Sequence, residues 1–214
     1  MTSNKYKFLS QEALKAIACG IMLLDHIGVL LRLHWLRMIG RMAFPIFCFL
    51  LAEGAHYTKD PKKYALRLLI CALLSEIPYD LFVGTGWSNQ NVLFTLLLGF
   101  AGIHIAKRIK TPLLKVLVVL ACGIFADLLR SDYGAIGVLL IVGFSLSREY
   151  VAMRYWLPGL LSYGLERYPT AALSLVPIFF YSGRKVSRQK WIQWGFYMFY
   201  PVHMVILALF RLVL

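Results

Sequence analysis

Long apolar stretches alternate with short polar clusters from one end of this chain to the other. That rhythm predicts helices long enough to cross a bilayer, which takes about 20 residues each. Nine are expected, over 11–32, 37–57, 64–83, 91–107, 112–130, 133–148, 150–165, 168–182 and 194–213. The breaks have local causes. Lys59-Asp60-Pro61 closes the second helix, and Gly84 to Asn89 is a turn cluster. Thr111-Pro112 opens the fifth, with proline where a first helical turn tolerates it. Arg184 to Lys190 is a polar loop, while Pro158, Pro169 and Pro177 interrupt the seventh and eighth helices. The fold class expected is all-α, a polytopic transmembrane helix bundle of about nine helices forming one domain over 1–214.

Composition agrees with that pattern. Hydrophobic residues make up 60% of the chain and the mean hydropathy is +0.69, whereas soluble domains run at about 45–50% apolar. The formal net charge of +13 would suggest nucleic acid in a soluble protein. Here the positive-inside rule accounts for it. With nine helices and the N-terminus inside, sixteen Lys and Arg fall at cytoplasmic ends: in the N-terminal segment and in the turns at 58–67, 107–115, 148–154 and 184–190. Six (Arg32, Arg37, Arg41, Arg130, Arg167, Arg211) fall on the opposite side, and Lys15 lies within the first helix. The expected location is therefore a bacterial cytoplasmic membrane, multi-pass, with the bilayer as a partner and no nucleic acid. Cys19, Cys48, Cys71 and Cys122 are scattered through apolar segments without metal-ligand spacing and read as small buried hydrophobes. No metal is expected.

Chemistry enters with the ionisable residues inside these apolar helices. A charge at the centre of a spanning helix costs roughly 2.5–3.5 kcal/mol on insertion scales, so such groups face one another in a bundle and mark a functional site by default. The predicted orientation gathers them into one layer between midplane and outer surface. Asp25 and His26 come from the first helix, Arg41 from the second, Glu76 and Asp80 from the third, and Asn91 and Thr95 from the fourth. Asp127 closes the fifth, and Tyr200 and His203 sit in the last. Adjacent helical residues point about 100° apart, so Asp25 and His26 are expected to have separate partners. The pair is open to three roles: catalysis, with histidine as general base; structural packing; or proton and ion coupling. Glu76 and Asp80 share one face of a helix that Pro78 is expected to bend, and they are either site acids or an acidic pair neutralised by arginine. The basic turns carrying Lys62, Lys63, Arg67, Arg184 and Lys185 suit the phosphates of an anionic cofactor, although the positive-inside rule alone also predicts them.

Several of these segments together resemble the TraX family, named for a conjugation protein associated with N-terminal acetylation of F pilin. They are Leu24-Asp25-His26, the run Gly40-Arg41-Met42-Ala43-Phe44-Pro45-Ile46-Phe47-Cys48-Phe49, Glu53-Gly54, Ser75-Glu76-Ile77-Pro78-Tyr79-Asp80, Asn91 to Gly99, Tyr133 to Gly137 and Tyr197 to His203. A fainter likeness is to acyltransferase-3 type membrane enzymes, which carry a basic residue eleven positions before a histidine on the first helix. Lys15 and His26 have that spacing, with Lys15-Ala16 where that family has Arg-Gly. The Phe-Pro-x-Phe-x-Phe stretch is also similar to lysosomal heparan glucosaminide N-acetyltransferase.

What the resemblance implies is a transmembrane acetyltransferase. Acetyl-CoA is the co-substrate, with Lys15 and the basic turns near its phosphates. His26 is the general base, oriented by Asp25 or another acid, and Asn91, Thr95 or Tyr200 donates to the oxyanion. The acceptor is an amine or hydroxyl, on a pilin N-terminus or an envelope glycan. Two rivals remain open at this stage: a proton- or ion-coupled transporter, and a non-enzymatic factor for envelope or pilus assembly.

Overall fold

A computed structural model describes residues 6–84, 86–150, 156–165, 169–186 and 189–213. Helix α1 (Gln11–Leu30) starts where the Ser10 hydroxyl accepts the Ala13 N–H at 3.1 Å, which satisfies one of the unpaired donors of a first turn. Helices α2 (His34–Gly40) and α3 (Ala43–Tyr57) follow. Helix α4 (Pro61–Val83) combines an Asp60 cap with proline at its first position and ends on Gly84 at φ +78°, a left-handed stop suited to glycine. The exposed Asp60 carboxylate is held below its usual pKa, first by the Lys63 N–H that it caps. Helix α5 (Val92–Arg108) is capped by Asn91, and α6 (Pro112–Leu128) opens at Thr111-Pro112. Then come α7 (Gly134–Glu149), α8 (Trp156–Leu165), a 3-10 turn over Pro169–Ser174, the short α9 (Leu175–Phe179), and α10 (Lys190–Val213).

The expected helix over 37–57 is two helices. Gly40 lies against α1 so closely that a Cβ there would meet the Asp25 Cβ at 2.2 Å and its Cα at 2.6 Å. Pro45, which cannot donate to a preceding turn, sits within the first turn of α3. The chain therefore stops at Gly40 and restarts at Ala43. Gly40→Ala is expected to destabilise the fold by about 2–3 kcal/mol, because the clash is partly with backbone and cannot relax by a rotamer change. Thermal unfolding in detergent reads this directly, and an unchanged Tm would mean that α2 stands off α1.

The expected helix over 168–182 is also not one helix. Pro169 opens a 3-10 turn and Pro177 falls in the first turn of α9, so the apolar piece over Pro169–Phe179 is well short of a bilayer span. Of the expected helix over 150–165, residues 151–155 lie outside the described residues, as do Lys5, Arg154, Arg167 and Arg188 of the charge count. Pro78 does not interrupt α4, which runs on to Val83.

Among the described residues, three stretches are long and apolar enough to cross a membrane: Gln11–Leu30, His34–Tyr57 and Trp191–Val213. The outer faces of α4, α6 and α10 expose Leu69, Leu73, Ile77, Leu117, Ile124, Val205 and Leu209 among others. Apolar surface on that scale exceeds what a water-soluble monomer shows; this is a membrane protein.

Helix ends sort onto two poles. At one, Leu9 N–H donates to Phe180 O at 3.0 Å and Gln11 N–H to Arg184 O at 2.9 Å, tying the start of α1 to the segment before α10. The ends of α3 and α7 meet at the same pole through Glu53, Tyr57 and Arg148. At the other, Gln90 pairs with the segment 130–132, and Arg211 at the end of α10 donates to the Phe82 carbonyl at the end of α4. Lys62, Lys63, Arg67, Arg148, Arg184 and Lys185 gather at the first pole. Between the poles lies a packed core that includes Leu14, Ile46, Phe82, Phe100, Ile141 and Met204.

Candidate functional site

The best-defined chemical group in the bundle is a pair of histidines. His26 on α1 and His203 on α10 meet with Nδ1 of His26 3.0 Å from Nε2 of His203. Nδ1 of His203 lies 2.7 Å from the Phe199 carbonyl. A carbonyl only accepts, so His203 carries its proton on Nδ1 and, when neutral, accepts at Nε2. His26 must then donate from Nδ1, which leaves the lone pair of its Nε2 for a reacting group. Phe82 stands edge-on to His26 at 5.8 Å and Tyr200 at 6.5 Å, with Tyr200 also 5.4 Å from the His203 ring. Apolar and aromatic walls thus hold a polarised, proton-carrying pair with one basic nitrogen.

Asp25 takes no part in this pair. Its Oδ1 lies 3.8 Å from Arg41 Nε, with both side chains mostly buried. The separate partners expected of neighbouring helical positions are present, but the group that orients His26 is a second histidine and not a carboxylate. Glu76 is buried and its Oε2 accepts from the side chain of Asn91 and, at 3.3 Å, from the Asn91 N–H. Asn91 also donates to Ala72 O at 2.8 Å and accepts the Leu93 N–H at 3.0 Å. Thr95 Oγ1 lies 2.9 Å from the Ser131 hydroxyl and donates to the Asp132 carbonyl. Asn91 and Thr95 therefore spend their hydrogen bonds joining helices, which removes the donors an oxyanion would need. Asp80 is half-buried on the turn after Glu76. Asp127 is exposed and accepts the Ala135 N–H at 2.7 Å, capping α7.

A cavity of about 290 Å³ runs from the basic pole toward the histidines. Lys15, Arg67 and Lys185 line it near the mouth, and Met22, Val92, Leu96 and Tyr200 line its inner end. Lys15 Nζ sits 5.3 Å over the Phe196 ring, and the Arg67 guanidinium lies 5.6 Å from Tyr64 and 5.7 Å from Tyr197. These aromatic faces hold the cations in place. From Lys15 to Met22 is roughly 10 Å along α1, and His26 is one turn further. Tyr200, hydrogen-bonded to the Val92 backbone, separates the end of the cavity from the histidine pair. Lys62 and Lys63 are exposed on the first turn of α4, where Lys63 pairs with Asp60 at 3.2 Å. Arg184 is exposed as well, its carbonyl bound to Gln11. None of these three lines the cavity.

Sequence reasoning did not pair Glu53 with Arg148, whose guanidinium bonds both that carboxylate and the Tyr57 hydroxyl, the latter at 2.7 Å. A buried glutamate in an apolar helix was the available signal, but its partner lies 95 positions away. The stripe Gln193, Tyr197, Tyr200 on α10, spaced four and three apart, lines the cavity and was legible as one polar helical face.

The model of the family described as "TraX protein" matches residues 10–211, nearly the whole chain. The chain belongs to the TraX family. Among curated proteins, this TraX member is 32% identical to the "Probable fimbrial assembly protein FimC, serogroup H1" of Dichelobacter nodosus, over 91% of this chain and 93% of that protein. It is 33% identical to an uncharacterized protein of Rickettsia prowazekii over 46% of this chain and 38% of that protein. No solved structure matches the TraX chain.

Proposed function

We propose that this TraX protein is a multi-pass acetyltransferase of the bacterial cytoplasmic membrane, moving an acetyl group from acetyl-CoA to an amine or hydroxyl acceptor. One observation carries the proposal: a cavity with a cationic mouth ends one helical turn short of a histidine whose basic nitrogen is left unoccupied by its hydrogen-bond partner. The pantetheine arm of coenzyme A has a backbone as long as about four residues of extended chain, roughly 14 Å. With its phosphates at Lys15, Arg67 and Lys185, that arm is long enough to carry the thioester past Met22 to Tyr200.

Chemistry then proceeds between the cavity end and the histidine pair. The acceptor nitrogen or oxygen attacks the thioester carbonyl while His26 Nε2 takes its proton. His203 stabilises the resulting imidazolium through the shared Nδ1–H. The Tyr200 hydroxyl, released from the Val92 backbone, donates to the oxyanion. As the tetrahedral centre collapses, the carbon–sulfur bond breaks and the proton on His26 Nε2 passes to the departing thiolate, giving coenzyme A and the acetylated acceptor. Tyr200 must turn for the carbonyl and the imidazole to meet. The acceptor reaches the pair from the pole opposite the cations, where Glu76 and Asp80 lie. The Dichelobacter relative's name favours a pilus subunit as that acceptor, with an envelope glycan as the other candidate.

Purified protein is expected to be thermally stabilised by acetyl-CoA. Lys15→Met is expected to weaken binding about tenfold, the value of one charge-assisted contact to phosphate. Stabilisation indifferent to acetyl-CoA would overturn the donor assignment. The relative's name also favours a second reading, a pilus assembly factor without catalysis. Under it, a His26→Gln protein that folds normally would still support assembly and leave pilin acetylation unchanged.

A further inference from the structure

Beside the donor cavity, at the same pole, lies a second one of about 330 Å³. The two share a wall of Glu53, Tyr57, Tyr181 and Gly183. Gly183 has φ +74° and no atom within 4 Å of a notional Cβ, so the wall has a low point bare of side chain. On the acetyl-CoA reading, the first cavity takes the arm and its acyl group. The nucleotide of the donor must therefore lie outside it, and the second cavity is the adjoining space.

Its chemistry suits a purine nucleotide. The floor is aromatic: Phe49 meets Phe144 edge-to-face at 5.7 Å. At the rim the Arg148 guanidinium lies 4.8 Å over the Tyr57 ring, giving flat cationic and aromatic faces of the kind on which bases stack. The Ser147 and Ser182 hydroxyls spend their protons on Phe144 O and Leu9 O, at 2.9 Å and 2.8 Å. Ser147 keeps lone pairs able to accept from an exocyclic amine, and Ser182, which already accepts the Arg184 N–H at 3.4 Å, keeps one. Arg148 is neutralised by Glu53, and Lys7 is the other basic residue among the described residues that line this cavity.

We propose that this second cavity is the adenosine subsite of the same donor, with coenzyme A bent over Gly183 so that its base sits between Tyr57 and Phe144 and its ribose phosphate meets Lys7. The proposal rests on the acetyl-CoA reading above. It is tested by isothermal titration of the full chain in lipid nanodiscs with coenzyme A and with 4′-phosphopantetheine, which lacks the nucleotide. Wild type is expected to bind coenzyme A at least tenfold more tightly than phosphopantetheine. Ser147→Trp, which fills the cavity, is expected to erase that advantage and leave phosphopantetheine unchanged. Lys7→Glu, a charge reversal at the half-buried rim, is expected to reduce the advantage several-fold. If both ligands bind wild type and the advantage survives in both variants, the nucleotide lies elsewhere and the subsite alone is overturned. If wild type binds neither ligand, the donor reading falls and the subsite with it.

Discussion

His26→Ala is expected to lower acetyl transfer by roughly 10²–10⁴-fold, the usual contribution of a positioned general base, while acetyl-CoA binding stays close to wild type. The separation follows from where His26 stands. It does not line the cavity proposed to take the donor, so removing it subtracts a proton acceptor and no donor contact. The measurements are acetyl transfer by proteoliposomes and, on the same preparation, titration with acetyl-CoA. His203→Ala is expected to cost less, because it removes the group that fixes the tautomer and not the nitrogen that takes the proton. It should also change the shape of the pH–rate profile, since two coupled imidazoles titrate in two steps and a lone His26 in one. Full activity in His26→Ala would remove this residue from the mechanism. Activity and donor binding lost together, with a lowered Tm, would assign the histidine pair to packing.

Helix starts were legible because their causes are local. Asn91 and Thr111-Pro112 each announce a first turn, and α5 and α6 begin at those signals; Asp60-Pro61, read only as the close of the second helix, also opens α4 three residues before the expected start at 64. The depth of His26 and His203 was legible too, since counting residues along a helix is counting distance. Their contact was not. It joins positions 177 apart and depends on how α1 and α10 rotate about their own axes, which apolar periodicity leaves loose when helices have lipid on one side and core on the other. The break at Gly40 was hidden for a related reason. Over 37–57 the hydrophobic pattern runs on unbroken, and only the approach of Asp25 from another helix shows why a glycine stands there. Asn91 and Thr95 were expected to be polar groups inside the bundle, and both are fully buried, yet residue type could not say whether a buried amide faces a substrate or a neighbouring helix.

Asn91 carries the largest expected effect on stability. It is fully buried and joins α4 to α5 by three bonds, two to Glu76 and one to the Ala72 carbonyl, while its side-chain oxygen caps α5 by accepting the Leu93 N–H. Alanine there keeps the backbone bond and strips the other three, leaving a carbonyl and a carboxylate with less compensation in a water-poor interior. Removing one partner of a buried charged group typically costs about 3–5 kcal/mol, and Asn91→Ala is expected in that range by chemical unfolding in detergent. Thr95→Val, which removes one hydroxyl from the Ser131–Asp132 junction, should cost only about 1–3 kcal/mol. The decisive comparison is the double variant Glu76→Leu with Asn91→Leu. Replacing both buried partners by apolar groups removes the uncompensated charge as well as the bond. The pair should therefore cost less than the sum of the two single changes. Additive losses would mean that Glu76 finds another donor once Asn91 is gone and that the α4–α5 junction is held elsewhere.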